Sequence, residues 1–204
     1  MATQSTAIEH VDIIIADIQD HIDKKSDFVG FILVALGIEY LGCFLDEKPF
    51  TDFGQSEIRF KNGLKFFKNT WYKNNSNWLF ETFRGPLIHQ YRIGPGLLIT
   101  SNCKNLANLS LHLQEFEGNR IFVLEQLFED YKQAVTKFKN EVAKPGNAFN
   151  KEKLSLTHQA IFQIPITAPL DINVSGITQT QVVPKPTSNL GNIQINITNV
   201  SSGQ

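Results

Sequence analysis

Between Phe28 and Leu45 the chain runs for eighteen residues with a single charge, Glu39, and this stretch limits the fold more than any other feature. Its length reaches the lower limit for an apolar helix that crosses a bilayer. Three observations favour a helix buried in protein instead. Glu39 near the middle would be costly in lipid, Gly30, Gly37 and Gly42 weaken an isolated helix, and acidic residues crowd both flanks. A helix that is hydrophobic all round belongs at the centre of a bundle, which needs amphipathic partners to cover it. On this reading every large side chain of the stretch is core, and Leu36→Asp would place an unpaired charge there.

The partners are legible on both sides. Residues 5 to 24 space Ile8, Val11, Ile14, Ile15, Ile18 and Ile22 by three and four, with Asp12, Asp17, Asp20 and Asp23 between them, which predicts an amphipathic helix. Ser56 stands as an N-cap before EIRFKNGLKFF and predicts a short third helix. WLFETFRGPLIHQY carries Trp78, Leu79, Phe80 and Phe83 at helical spacing until Gly85 and Pro86, where a fourth helix should end or kink. Two short segments, GLLITS and NLSLHLQ, predict a hairpin over 97–113. From Arg120 to Val142 one apolar stripe predicts a long closing helix before the breaker KPG.

At 204 residues with 42% hydrophobic and 19% charged side chains, the chain suits one core-bearing domain plus an appendage and excludes a wholly disordered protein. The predicted division is a mainly α helical bundle with a small β-hairpin over 5–144, and a C-terminal extension over 145–204. From Ile164 onward the only charged residues are Asp171 and Lys185, and no aromatic residue occurs. Val174, Ile193, Ile195 and Ile197 keep a period of two, so the extension reads either as a low-complexity tail or as strands that would pair with a protein partner. The segment MATQSTAIEH lacks a basic stretch followed by an apolar run, and Cys43 and Cys103 have neither paired nor metal-like spacing. The expectation is a cytoplasmic, reduced chain with no membrane association, metal or cofactor.

Charge is segregated although the total is only -1. Residues 1–55 carry a balance of -7 and residues 56–104 one of +6. Arg59, Lys61, Lys65, Lys68, Lys73, Arg84, Arg92 and Lys104, interleaved with Trp71, Tyr72, Trp78 and Tyr91, are the residue types that hold phosphates and stack bases. The other reading is that these cations are solvated helix faces that neutralise the acidic first helix. Within the segment lies Arg84-Gly-Pro-Leu-Ile-His89, an arginine and a histidine with four residues between them. A cation beside a group that exchanges protons near neutral pH can cleave RNA without metal: the histidine manages the proton of the ribose 2′-hydroxyl or the leaving 5′-oxygen, and the arginine holds the charge that develops on phosphorus. A structural reading pairs Arg84 with Glu81 across one helical turn.

An all-helical core with R-x4-H at the end of an inner helix resembles the HEPN superfamily, the higher-eukaryote and prokaryote nucleotide-binding domains. The phrases GIEYLGCFL, LFETFRGPLIH and VLEQLFEDYKQAV are similar to HEPN-like bacterial proteins, and the likeness spans about residues 5–142. It implies a homodimer whose two motifs meet, an RNA-binding or metal-independent RNA-cleaving activity in an intracellular defence or toxin-type system, and Arg84 and His89 as the active pair. Tyr91, Arg92, Lys73 and Lys68 would contact the RNA. Gly85 and Pro86 depart from the family pattern, which commonly has a polar residue after the arginine. HEPN-like members that only dimerise and bind protein partners are the alternative.

Overall fold

A computed structural model describes residues 6–101 and 110–156. The protein is mainly helical with a small three-stranded sheet. Helix α1 covers His10–Asp23 and α2 covers Asp27–Cys43. Ahead of α1, Thr6 and Glu9 exchange backbone and side-chain hydrogen bonds at 2.6 and 3.3 Å, a reciprocal cap that satisfies two otherwise orphaned amides. Helix α3, Ser56–Gly63, continues as a 3₁₀ turn over Leu64–Phe66. Helix α4, Thr70–Asn74, has no counterpart among the predicted elements; the Asn69 side chain caps it by accepting from the Trp71 amide at 3.0 Å. Among the described residues no helix is long and apolar enough to cross a membrane.

Helix α2 is the centre of the bundle, as its composition predicts. Phe31, Val34, Ala35, Ile38 and Leu41 are buried, and α1, α3 and the closing helix α7, Leu124–Val142, pack around it. Leu36 is the correction: it is 40% exposed, so α2 has one open strip and Leu36→Asp would not reach the core. The tightest approach is between α2 and α3. A Cβ on Gly42 would stand 1.7 Å from the Arg59 carbonyl oxygen, and one on Gly63 would stand 1.8 Å from that of Ile38. Main chain rests on main chain, so only glycine fits at either position.

The sheet differs from the predicted 97–113 hairpin. Strand β1, Leu97–Thr100, pairs in parallel with β3, Asn119–Val123, in the register Leu97 to Arg120 and Thr100 to Val123. The hairpin is formed by β2, Glu115–Phe116, and β3, through a two-residue turn whose Glu117 and Gly118 both have positive φ, 49° and 75°. Two left-handed residues in a two-residue loop follow the right-handed twist of paired strands. Residues 120–123 are therefore strand, and α7 begins only at Leu124. Ile121-Phe122-Val123 suits a strand as well as the start of an apolar stripe, which is why periodicity alone extends the helix.

The packed unit continues beyond the expected boundary at 144. Helix α8, Lys151–Ser155, returns to α2, Phe149 is buried against Phe66 and Phe138, and the Ala7 amide bonds the Leu156 carbonyl at 2.8 Å. The anchor is a buried charge cluster. Lys153 Nζ donates to the Cys43 carbonyl, the Asp46 carbonyl and Asp46 Oδ1, each at 2.7 Å. Arg59 Nε donates to Asp46 Oδ2 at 2.6 Å, and its Nη atoms reach the carbonyls of Pro49 and Phe50. Thus α2, α3, the loop between them and α8 meet on one carboxylate. The rest of the extension, including Val174 and Ile193 to Ile197, lies outside the described residues.

Burial pushes the Asp46 carboxyl up, but hydrogen bonds and charge from Arg59 and Lys153 outweigh it and hold the group below the ordinary carboxylate range. Its stabilising contribution is therefore complete above the unfolded value of about 3.9 and is lost as pH falls through the lower folded value. Lys153→Met should cost about 3–5 kcal/mol, because it leaves the buried ion pair incomplete. Urea titration at pH 7 and pH 3 checks both points: the variant should lose less stability on acidification than the wild type. A chain ending at Lys144 should melt at a lower temperature.

Candidate functional site

The predicted pair lies on a helix that Pro86 reshapes without ending. Helix α5, Ser76–Leu79, passes through a π turn over Phe80–Arg84 into α6, Gly85–Gln90. Proline has no amide to give Thr82, and its ring would strike that carbonyl in a regular helix. In the π turn the Gly85 amide bonds the Phe80 carbonyl instead, and the freed Thr82 carbonyl accepts from the Gly94 amide at 2.6 Å. A Cβ on Gly94 would come within 2.7 Å of Thr82 Cα, so a residue without a side chain is needed for that bond. Single π turns inside helices occur disproportionately at functional sites.

Arg84 is 5% exposed and engages side chains of three helices. Its Nε and Nη2 both donate to Glu39 Oε2, at 2.7 and 2.6 Å, from α2. Nη2 also donates to Ser56 Oγ at 3.2 Å, at the start of α3. Nη1 lies 3.0 Å from His89 Nε2 on α6, and the guanidinium carbon sits 5.7 Å from the Phe80 ring centre. Glu81, the expected partner, is exposed. Glu39 takes its place, and the lone carboxylate of the apolar helix finds its reason there: a charge taken out of water needs a partner of opposite sign.

The contact assigns a protonation pattern. A guanidinium only donates, so His89 Nε2 accepts and the neutral ring carries its proton on Nδ1. His89 itself is exposed. The site is thus a row of three groups that begins half-buried at Glu39 and ends in solvent at an imidazole. Chemically it offers one imidazole acceptor, occupied by a cation whose charge is already balanced, and a second hydrogen on Nη1 for which the described residues provide no acceptor.

The other predicted contacts separate into two places. Tyr91 caps α6 in a left-handed conformation, φ 53°, with its ring 4.3 Å from that of Phe28, and it is 68% exposed. Arg92 follows it, exposed, and bonds Gln90. Lys68 and Lys73 line a different feature, a groove bordered by α7. Arg59, also among the basic residues of the middle segment, is spent inside the Asp46 cluster. Burial pushes the Cys43 thiol up to about 12, so it stays protonated and unreactive near neutral pH. Among the described residues no three His, Cys, Asp or Glu side chains gather to hold a metal.

A second polar network has no signature in the sequence. Tyr72 donates to Asp130 Oδ2 at 2.6 Å and lies 2.7 Å from His112 Nε2, while His112 Nδ1 accepts from the Val123 amide at 3.0 Å. It joins α4, β3 and α7 across 40 to 58 residues of sequence, a range that spacing does not reveal. Burial and the neighbouring Asp130 raise the Tyr72 hydroxyl above its ordinary value, so it remains a donor. No family model, curated protein or solved structure matches the chain.

Glu39→Gln removes the counter-charge of a buried cation and should destabilise the protein by about 3–5 kcal/mol. Glu39→Gln combined with Arg84→Met removes both charges and should recover most of that loss. A double-mutant cycle by denaturant unfolding measures the coupling. Additive losses would show that the two side chains do not support each other.

Proposed function

We propose that the domain is HEPN-like and acts on RNA without a metal, with His89 as the proton-transfer group and Arg84 as the positive charge beside it. The observation that carries this reading is the 3.0 Å contact between Arg84 Nη1 and the exposed His89 imidazole. In the free protein the two groups satisfy each other. A phosphate oxygen of RNA replaces His89 as the acceptor for Nη1, and Nε2 is released toward the ribose 2′-hydroxyl. Nε2 takes the 2′-proton, the 2′-oxygen bonds to phosphorus, the bond from phosphorus to the 5′-oxygen breaks, and that oxygen leaves with a proton from water or from the second subunit. Glu39 keeps the guanidinium oriented throughout.

The reading includes a homodimer, because one arginine and one histidine surround little of a phosphate. Phe53, 98% exposed, and Ile58, half exposed, lie within three residues of Ser56 in the sequence and offer open apolar surface to a second copy. A non-catalytic module for dimerisation and partner binding is the second reading. What favours it is the burial of Arg84 and the neutralisation of its charge by Glu39.

The protein incubated with RNA and a chelator should cleave it, and His89→Ala should lower the rate at least ~100-fold while leaving the helical circular dichroism unchanged, since His89 is exposed. Cleavage that stops on adding the chelator would contradict the mechanism. Intact RNA with the wild-type chain, together with a scattering mass of twice 23.0 kDa, would favour the module.

A further inference from the structure

We propose that the groove between the Lys65–Lys73 segment and α7 holds the sugar-phosphate backbone of single-stranded RNA; that the polyanion is RNA rests on the function proposed above. The groove has a volume of about 790 Å³. Lys65, Lys68 and Lys73 line one wall and Lys137 and Lys144 the other, against Glu141 alone. Such a concentration of one sign stands out in a chain whose net charge is -1.

The cations differ in what they do. Lys137 Nζ donates to the Lys65 carbonyl at 3.0 Å and approaches Glu141 at 3.9 Å, so it ties the two walls together. Lys65 bonds Asn62. Lys68, Lys73 and Lys144 are exposed and, among the described residues, have no ion-pair partner. Three ammonium groups, each with three donors and no acceptor, are therefore available to phosphate oxygens, and Thr70 and Asn140 add uncharged polar groups beside them.

The floor decides the mode of recognition. Phe66 and Phe67 line the groove but are only 2% and 4% exposed, so they offer no open ring face for a base. Bases face outward and the backbone is gripped, which makes binding insensitive to sequence. The C-terminal extension of the same chain does not fit, because from Ile164 onward it carries only Asp171 and Lys185 and has no charge to match five lysines.

The experiment uses the full chain and a fluorescently labelled 2′-O-methyl oligouridine, which lacks the 2′-hydroxyl and so reports binding apart from cleavage. Anisotropy should show binding that weakens as salt rises. Lys68→Glu/Lys73→Glu/Lys144→Glu should bind at least ~10-fold more weakly. The slope of log K against log salt should fall by about 2, since each phosphate neutralised on a single strand adds about 0.7 to it. Lys24→Glu/Lys25→Glu/Lys132→Glu makes the same charge change elsewhere and should bind more tightly than the groove variant. Equal weakening in the two variants, or no binding by the wild type, overturns the assignment. Self-association that the groove substitutions abolish, without RNA binding, overturns it in favour of the acidic α1 of a second copy. Groove-dependent binding by a wild type that fails to cleave unmethylated RNA upholds the groove and removes the catalytic role of Arg84 and His89.

Discussion

The backbone contact between Gly42 and Gly63 sets the rest of the structure. With a Cβ at either position standing 1.7 or 1.8 Å from the opposing carbonyl oxygen, α2 and α3 can meet only as bare main chains. That distance fixes what the two helices present on each side. Glu39 of α2 and Ser56 of α3 converge on Arg84. Asp46, just past the end of α2, converges with Arg59 of α3, whose carbonyl is the one that Gly42 touches. Two buried ion clusters thus hang from one helix contact, and α6 and α8 are each secured through one of them.

This arrangement changes the meaning of the charge segregation in the sequence. An acidic start and a basic middle suggest two opposed surfaces, yet part of each is consumed inside the protein. Glu39 and Asp46 from the acidic part neutralise Arg84 and Arg59 from the basic part, in pairs that side-chain exposures of 6–15% keep largely from water. The positive charge left at the surface is mostly lysine, and α7 brings Lys137 and Lys144 to join Lys65, Lys68 and Lys73. Arg59, Arg84 and the buried Lys153 hold the interior together, and the exposed lysines of the groove remain for solvent or a polyanion.

The long periodic elements are legible in the sequence. Apolar residues at helical spacing specify α1, α7 and the unbroken character of α2, and their burial follows that pattern except at Leu36. Arg84 and His89 are legible as a pair because they are five residues apart. Their support is not: Glu39 is 45 residues from Arg84, and only the cost of a lone carboxylate in an apolar helix hints that a buried cation exists. Lys153 is hidden for the same reason, at 107 residues from Asp46. The sheet departs from expectation because Ile121-Phe122-Val123 fits strand and helix patterns equally and the Glu117-Gly118 turn is a weak signal beside them. The π turn depends on where the Thr82 carbonyl finds a new donor, twelve residues downstream at Gly94.

If the α2 and α3 contact positions Glu39, Glu39 positions Arg84, and Arg84 positions the imidazole, the whole chain of dependence is recorded in one ring. Long-range ¹⁵N–¹H correlation spectra of histidine-labelled protein report which nitrogen of His89 carries the proton. The expected result is a neutral ring protonated on Nδ1, with Nε2 bare and accepting from Arg84, and loss of that preference in Glu39→Gln. A ring protonated on Nε2 in the wild type would contradict it, because Arg84 would then have no acceptor at His89 and the pair would not exist in solution.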